Sequence, residues 1–300
     1  MTDAVSLALD AGQTGIKVRV SRAGAAPVDR GFPGIRTDAP LLPQLAEVAR
    51  VASVGAPVEV LAAGVSGLTS AEDDAAELRA LVHELTPGRV LLTHDSVSSF
   101  LGTLGDQHGA VVASGTGVVT LAVGPGGVAR VDGWGYLMGD AGSGFWLGRA
   151  ALDAVMRAHD GRGPATSLTE VVQARWPVLE DAYVQLQSDA ARVSVVAWFA
   201  EAVAARADTD AVAAGICASA AEELALSVTT ALRRVDAAPV VSAIGGVFRG
   251  AAVRSGFEEL LRAVHPEVRF EAPHGSGLDG VAALAALADG HPLRTLVSEA

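Results

Sequence analysis

The chain has 300 residues, half of them apolar and 19% charged, which supports a buried core and excludes a polar, disordered chain. Its 22 basic and 34 acidic residues give a net charge of -12, which argues against a protein that holds nucleic acid through its phosphates. The single cysteine, Cys217, excludes an intrachain disulfide, and we expect it to be a small buried residue on a helix.

Neither a membrane span nor a signal peptide is predicted. A long uncharged stretch, residues 110–129, is broken by glycines and a proline, so it predicts strands and turns rather than the roughly 20 apolar helical residues of a span. The N-terminus carries Asp3 and no basic segment. We therefore expect a cytoplasmic protein without a membrane or nucleic-acid partner.

The first part of the chain alternates between strand and helix patterns. Strands are predicted at residues 5–10, 16–21, 27–32, 58–63 and 89–93. Helices are predicted at residues 41–54 and 71–85, the second capped by Ser70. This alternation is typical of an α/β fold with parallel strands.

The pattern begins again at Gly109, which suggests an internal repeat. Its hairpin, VVASGTGVVTLAV, resembles the first hairpin, LALDAGQTGIKVRV. Strands are predicted at residues 110–113, 118–123 and 127–132, helices over residues 144–235, and a final β-α-β-α series at residues 240–244, 251–264, 268–272 and 278–288. We place a domain boundary near residue 105, giving domains at residues 1–105 and 106–300 that pack around a cleft.

The turns of the two hairpins are candidate phosphate cradles. Glycine lets backbone amides approach phosphate oxygens, and threonine adds a hydroxyl donor, as in residues 10–15 (DAGQTG) and 114–117 (SGTG). Asp10, at the end of the first strand, is a candidate ligand for Mg²⁺. Ordinary hairpin turns are the alternative for either segment alone.

Other nucleotide motifs are weaker. The only lysine, Lys17, does not follow the glycine pattern of a P-loop. The segment Gly275 to Gly280 has the G-x-G-x-x-G spacing, but only twenty residues of chain follow it, too few for a dinucleotide-binding unit. We expect it to start a helix near a ligand.

Polar residues after predicted strands are candidate site residues. Asp95 follows a strand and could accept the proton of an attacking hydroxyl, or it could cap the next helix. Ser66 lies in a similar loop. Gly245 and Gly246 follow a strand and could let a flat base lie against the backbone. The histidines have no metal-ligand spacing, and His94 is expected in a loop or on the surface.

The densest motif is residues 133–144, GWGYLMGDAGSG. Five glycines, two aromatic residues and one acid suit a loop that contacts a small polar ligand, and Asp140 could bind sugar hydroxyls. Alternatively, Asp140 or Ser143 caps the helix that begins near Phe145.

With these residues in place, the chain resembles the N-acetylglucosamine kinases and the wider BadF/BadG/BcrA/BcrD ATPase family, within the actin-like, hexokinase-like and Hsp70-like ATPases. The segment GWGYLMGDAGSGFWLG is the most specific part of the resemblance. The resemblance implies an α/β fold of two ribonuclease-H-like domains with ATP and Mg²⁺ in the cleft between them, the second domain carrying a helical insertion. It implies phosphoryl transfer from ATP to the 6-hydroxyl of an amino sugar, which we expect to be N-acetylglucosamine.

The resemblance also assigns residues. Asp95 matches the catalytic base, and Asp10 is the metal candidate. The sugar-binding positions correspond to Ser66, Asp95, Gly133, Trp134, Gly135 and Asp140. The ATP-binding positions are Gly12, Thr14, Gly115, Thr116, Gly117, Ala197, Gly245 and Gly246.

One departure from the family pattern bears on function. The family often has a sugar-contacting asparagine after the third strand, whereas residues 34–38 read GIRTD and the chain has no asparagine. Glucosamine, another hexosamine or a muramyl sugar is therefore the alternative acceptor, and a regulator that binds nucleotide and sugar without turnover is the alternative class. Related kinases are often dimers, so we expect a homodimer.

Overall fold

A computed structural model describes residues 4–36 and 38–300. Met1–Asp3, on which the expectation of no signal peptide partly rests, and Thr37, within the segment that lacks the family's asparagine, lie outside these residues. The chain divides into two compact units. The first contains the residues up to His108 together with Val123–Val128 and Glu271–Ala300, and the second contains Gly109–Ala122 and Ala129–Phe270.

The described residues form strands and helices in the following order. The strands are β1 (Val5–Ala11), β2 (Ile16–Arg22), β3 (Val28–Phe32), β4 (Val58–Val65), β5 (Arg89–His94), β6 (Gly109–Ser114), β7 (Val118–Gly124), β8 (Gly127–Val131), β9 (Val240–Ile244), β10 (Arg269–Phe270) and β11 (Val297–Glu299). The helices are α1 (Leu41–Ser53), α2 (Ala75–Leu81), α3 (Asp95–Leu104), α4 (Gly144–His159), α5 (Leu168–Arg175), α6 (Leu179–Ser188), α7 (Arg192–Arg206), α8 (Ala211–Val235), α9 (Ala251–Val264) and α10 (Gly277–Ala283).

The two sheets share one strand order. The first runs β11-β5-β4-β1-β2-β3, with β1, β2 and β3 antiparallel and β4 parallel to both β1 and β5. The second runs β10-β9-β6-β7-β8, with β9 parallel to β6 and β10. Apart from β11, each sheet has the order fifth, fourth, first, second, third. The internal repeat predicted from the two hairpins is therefore confirmed at the level of topology.

Several predicted elements differ in extent from those observed. Ser70 does not cap a helix over residues 71–85: α2 begins at Ala75, where the Asp74 side chain accepts from the amide of Glu77, and a separate 3-10 turn spans His83–Leu85. The strand predicted at residues 268–272 has only two residues, and the last predicted helix ends its α-helical part at Ala283.

Residues 271–300 pack within the first unit, whereas the predicted second domain runs to residue 300. Strand β11 pairs antiparallel with β5, and α10 packs on α3. Neither contact has a local sequence signal, because both join segments about two hundred residues apart.

Each unit has its own apolar core, built from the inner faces of its sheet and the helices that cover it. Among the described residues, α8 is the one helix long and apolar enough to cross a bilayer. Half of its apolar window is buried within the second unit, where it packs on α4, α7, α9 and β6. This burial is typical of a core helix, and Cys217 on α8 is buried as expected.

Candidate functional site

The carboxyl ends of three parallel strands gather the polar candidates of the first unit. Asp10 of β1 lies in register with Gly64 of β4, and β4 and β5 end together. Ser66 follows β4 directly, and its amide donates to the carbonyl of Ala11 at 2.9 Å. Asp95 follows β5 as the first residue of α3. The fold therefore brings Asp10, Ser66 and Asp95 to one edge of the sheet.

Asp10 lies in a crowded, partly buried position. Burial raises the pKa of its carboxyl above the ordinary value; the charge of Lys17, its cross-strand partner, opposes the rise, and the charge of Asp95 adds to it. A Cβ atom at Gly277, the first residue of α10, would lie 3.0 Å from the Asp10 Oδ2 atom. The G-x-G-x-x-G segment thus starts a helix, as predicted, and this helix start lies beside the metal candidate Asp10.

Asp95 does not cap α3, which corrects one alternative from the sequence. The cap is His94, whose Nδ1 atom accepts from the amide of Ser96 at 3.2 Å. The same Nδ1 atom lies 2.9 Å from the Asp95 Oδ1 atom and 3.0 Å from the Ser96 hydroxyl. Because this nitrogen carries either a proton or a lone pair, it either caps the helix or donates to the carboxylate of Asp95.

The first hairpin turn is held by its own backbone. The amide of Gly12 donates to the carbonyl of Gly15 at 3.1 Å, and the Gly12 carbonyl accepts from Ile35 at 3.0 Å. A Cβ atom at Gly34 would lie 2.0 Å from the Gln13 carbonyl oxygen, so the neighbouring segment packs directly on the turn. Thr14 is exposed at its tip. Since the Gly12 amide is used within the turn, Thr14 is the better candidate donor to a phosphate.

The second turn has the same design. The amide of Gly115 donates to the Gly117 carbonyl at 2.9 Å, and the Gly115 carbonyl accepts from the amide of Gly144 at 2.7 Å. The buried Ser114 hydroxyl donates to the Gly142 carbonyl at 3.1 Å. Thr116 is exposed, like Thr14 in the first turn. The turn is therefore anchored to the segment that leads into α4.

A cavity of about 700 Å³ opens beside this second turn, within the second unit. It brings together four of the eight predicted ATP residues, namely Gly115, Thr116, Ala197 and Gly246. Its wall also contains residues that were not predicted as ligand-binding, among them Trp198, Glu201, Cys217 and Arg249. Those on α7 and α8 have no recognisable motif, because helical residues that line a pocket have the same spacing as residues that pack in a core.

The other four predicted ATP residues do not line this cavity: Gly12 and Thr14 belong to the first unit, and Gly117 and Gly245 have other roles in the second. Gly245 has a φ of 101°, and a Cβ atom there would lie 2.2 Å from the Ser114 carbonyl oxygen, so it lets β9 pass close to β6. A Cβ atom at Gly117 would lie 2.6 Å from the Asp140 Oδ2 atom. Gly117 therefore makes room for the carboxylate of Asp140, which is predicted to bind the sugar, rather than for the nucleotide.

Residues 132–143 form a compact loop around two carboxylates. The Asp140 side chain is buried, and its Oδ1 atom accepts from the amide of Gly135 at 3.1 Å. Burial raises the pKa of Asp140, and the charge of Asp132 adds to the rise. Ser143, not Asp140, caps α4, its hydroxyl accepting from Trp146 at 3.2 Å.

The rim of this loop is apolar and exposed. The side chain of Trp134 is 57% exposed, and the guanidinium of Arg130 stands 4.9 Å from the centre of its ring. Leu137 and Met138 are also exposed. The structure thus brings Gly133, Trp134, Gly135 and Asp140 into one loop of the second unit, whereas Ser66 and Asp95 belong to the first.

Comparison with known proteins identifies relatives of this chain. The sequence profile described as the BadF/BadG/BcrA/BcrD ATPase family matches residues 3–286. An N-acetyl-D-glucosamine kinase of Dictyostelium discoideum is 46% identical over 72 residues, 24% of this chain and 23% of that protein. An N-acetylmuramic acid/N-acetylglucosamine kinase of Clostridium acetobutylicum is 34% identical over 82 residues, 27% of each protein. These alignments span about a quarter of each curated relative.

Solved structures agree over nearly the whole chain. A candidate N-acetylglucosamine kinase of Chromobacterium violaceum has a TM-score of 0.68 at 25% identity, covering 93% of this chain and 97% of that one. A ROK family glucokinase of Streptomyces griseus, in complex with glucose and AMPPNP, has a TM-score of 0.53 at 17% identity, covering 94% and 99%, and shows the fold alone. The expected α/β class with two related sheets is confirmed, and the chain belongs to the BadF/BadG/BcrA/BcrD ATPase family.

Proposed function

We propose that the protein is an ATP-dependent kinase that transfers the γ-phosphate to the 6-hydroxyl of N-acetylglucosamine. The cavity of about 700 Å³ in the second unit carries this proposal. Its volume suits a small-molecule ligand, and the anchored SGTG turn forms part of its wall. The named kinase relatives support the choice of an amino sugar as acceptor.

Asp95 is the proposed catalytic base. Its carboxylate would accept the proton of the 6-hydroxyl while that oxygen attacks the γ-phosphorus. The new oxygen–phosphorus bond forms as the bond from the γ-phosphorus to the bridging oxygen of ADP breaks, and ADP leaves. The exposed hydroxyls of Thr14 and Thr116 would stabilise the charge that develops on the phosphate oxygens.

Asp10 is the proposed contact for Mg²⁺. The described residues contain no group of three or more His, Cys, Asp or Glu side chains placed to hold a metal. One partly buried carboxylate fits Mg²⁺ nonetheless, since this ion is usually bound by one or two carboxylates, waters and the substrate phosphates. When bound, the ion would neutralise charge on the phosphates.

Sugar selectivity tests the proposal. We expect ADP release from the purified protein with ATP-Mg²⁺ to be fastest with N-acetylglucosamine in a panel that includes glucose, glucosamine, N-acetylmannosamine and N-acetylmuramic acid. A preference for another amino sugar would change the proposed acceptor but would still support kinase activity. No stimulation by any sugar, with nucleotide still bound, would favour the non-catalytic regulator.

The cytoplasmic location and the homodimer expected above remain part of this proposal. Light scattering coupled to size-exclusion chromatography measures the mass in solution and therefore tests the homodimer.

A further inference from the structure

We propose that Asp132 is a positioning residue that holds Asp140 and its loop in the shape that binds the sugar. This inference rests on the proposed function, because it assigns a role within the same sugar site. Asp132 follows β8 directly and precedes the GWG motif, so it is well placed to fix the start of the loop.

The carboxylate of Asp132 ties both ends of the loop together. Its Oδ1 atom accepts from the amide of Gly133 at 2.7 Å and from the amide of Asp140 at 2.8 Å. Its Oδ2 atom accepts from the amide of Ala141 at 2.9 Å. One side chain thus binds the residue after it and two residues on the far side of the loop, with the short distances of charge-assisted hydrogen bonds.

The backbone of the loop depends on these bonds. Asp132 and Asp140 both have left-handed backbone, with φ of 58° and 60°, which is unfavourable for residues other than glycine. A Cβ atom at Gly139 would lie 2.4 Å from the Asp132 Oδ1 atom. The loop therefore closes tightly around the Asp132 carboxylate, and glycine at position 139 leaves the space for it.

The three hydrogen bonds of the Asp132 carboxylate, which we call the Asp132 clamp, reach Asp140, the residue proposed to bind the sugar. The amide of Asp140 donates to Asp132, and the carboxylate of Asp140 accepts from the amide of Gly135. A shift of the Asp132 clamp therefore moves the Asp140 carboxylate. Arg130 donates to the carbonyls of Asp132 and Gly133 and contacts the Trp134 ring, so the aromatic rim is tied to the same point.

The charge of Asp132 also acts on Asp140. The titratable and charged groups that influence the Asp140 carboxyl are Asp132, whose negative charge raises its pKa beyond the rise due to burial, and Arg130, whose positive charge lowers it. Without the Asp132 charge, Asp140 would stay ionised to lower pH. A positioning role that includes this charge therefore predicts a change in pH dependence, which a purely structural role does not.

The test compares one variant that removes the charge of Asp132 with one that keeps it. Asp132→Asn keeps one acceptor oxygen but removes the charge and places an amide group against the N–H of Ala141. Gly139→Ala displaces the carboxylate but keeps the charge. We expect both to raise the KM for N-acetylglucosamine by about 10- to 100-fold with the KM for ATP near the wild-type value. The acid limb of the pH profile of kcat/KM for the sugar should move to lower pH in Asp132→Asn alone.

Asp236→Asn is the matched control, because Asp236 is an exposed aspartate with left-handed backbone that caps α8, outside the loop. It should leave both KM values unchanged. If the wild-type protein is active and both loop variants have its KM for the sugar, the role of Asp132 is overturned, while the proposed kinase activity stands. If Asp132→Asn does not fold, Gly139→Ala decides. Absence of any amino-sugar binding by the wild type in calorimetry would overturn both proposals.

Discussion

Single acidic side chains carry most of the proposed chemistry, and their neighbours set their properties. Asp95 shares the His94 Nδ1 atom with the amide of Ser96. A ring with a proton on Nδ1 would donate to the carboxylate and weaken it as a base, whereas a ring with its lone pair on Nδ1 accepts from the Ser96 amide and caps α3. The residue before the proposed base is therefore part of its electrostatic environment.

Replacing Asp95 by Asn tests the assignment of the base. The amide keeps the shape of the side chain but cannot accept the proton of the hydroxyl, so we expect kcat to fall by about 10²- to 10⁴-fold. The Kd for the sugar, measured by calorimetry, should stay close to that of the wild type. Asp289→Asn, at a fully exposed side chain of the same unit, is the control and should be unaffected. A kcat near the wild-type value in Asp95→Asn would refute the role.

Sequence motifs could predict some of these residues and not others. Asp140 and Trp134 lie inside a dense glycine motif, Asp10 lies near the end of a strand and Asp95 directly follows one, so each has a local signal. Asp132 and His94 lack one, because their roles depend on hydrogen bonds to backbone amides whose positions only the folded loop or helix defines.

At the scale of elements, glycine contacts allow α10 to pack on α3. A Cβ atom at Gly102 would lie 1.9 Å from the carbonyl oxygen of Ser276, and one at Gly280 would lie 1.8 Å from that of Ser98. The amide of Gly275 also donates to the Gly102 carbonyl at 2.7 Å. The two helices thus touch through their backbones, which fixes the start of α10 beside Asp10.

Substitution at this contact should weaken the first unit. We expect Gly102→Ala to lower the free energy of unfolding by about 1–3 kcal/mol, since the added methyl group overlaps a backbone carbonyl that cannot move freely. Urea denaturation measures the change. Gly31→Ala on β3 is the control, because a Cβ atom there has no atom within 4 Å. Equal stability of the two variants would mean that α3 and α10 are not held at this distance.

Local patterns predicted the main elements better than their ends. The period of apolar residues located α1, α9 and the first three strands within about two residues. The start of α2 was missed because Asp74 competes with Ser70 as a cap, and β11 was missed because a three-residue strand at a sheet edge has little apolar pattern.

For the whole molecule, one strand order used twice explains why two similar turns recur about a hundred residues apart. Asp10 and Thr14 belong to the first hairpin, and Ser114 and Thr116 belong to the second. The short hairpin resemblance in the sequence was enough to suggest the repeat. The membership of residues 271–300 in the first unit could not be predicted, because it depends on pairing with strands far away in the chain.

The identity of the phosphorylated product tests the central proposal most directly, because ADP release alone does not distinguish a kinase from an ATPase. The purified protein would be incubated with ATP-Mg²⁺ and N-acetylglucosamine, and the products analysed by mass spectrometry and phosphorus-proton NMR correlation. We predict one equivalent of sugar phosphate for each ADP, with the phosphorus coupled to the protons of carbon 6. ADP with free phosphate and unmodified sugar, or phosphate at another carbon, would contradict the account.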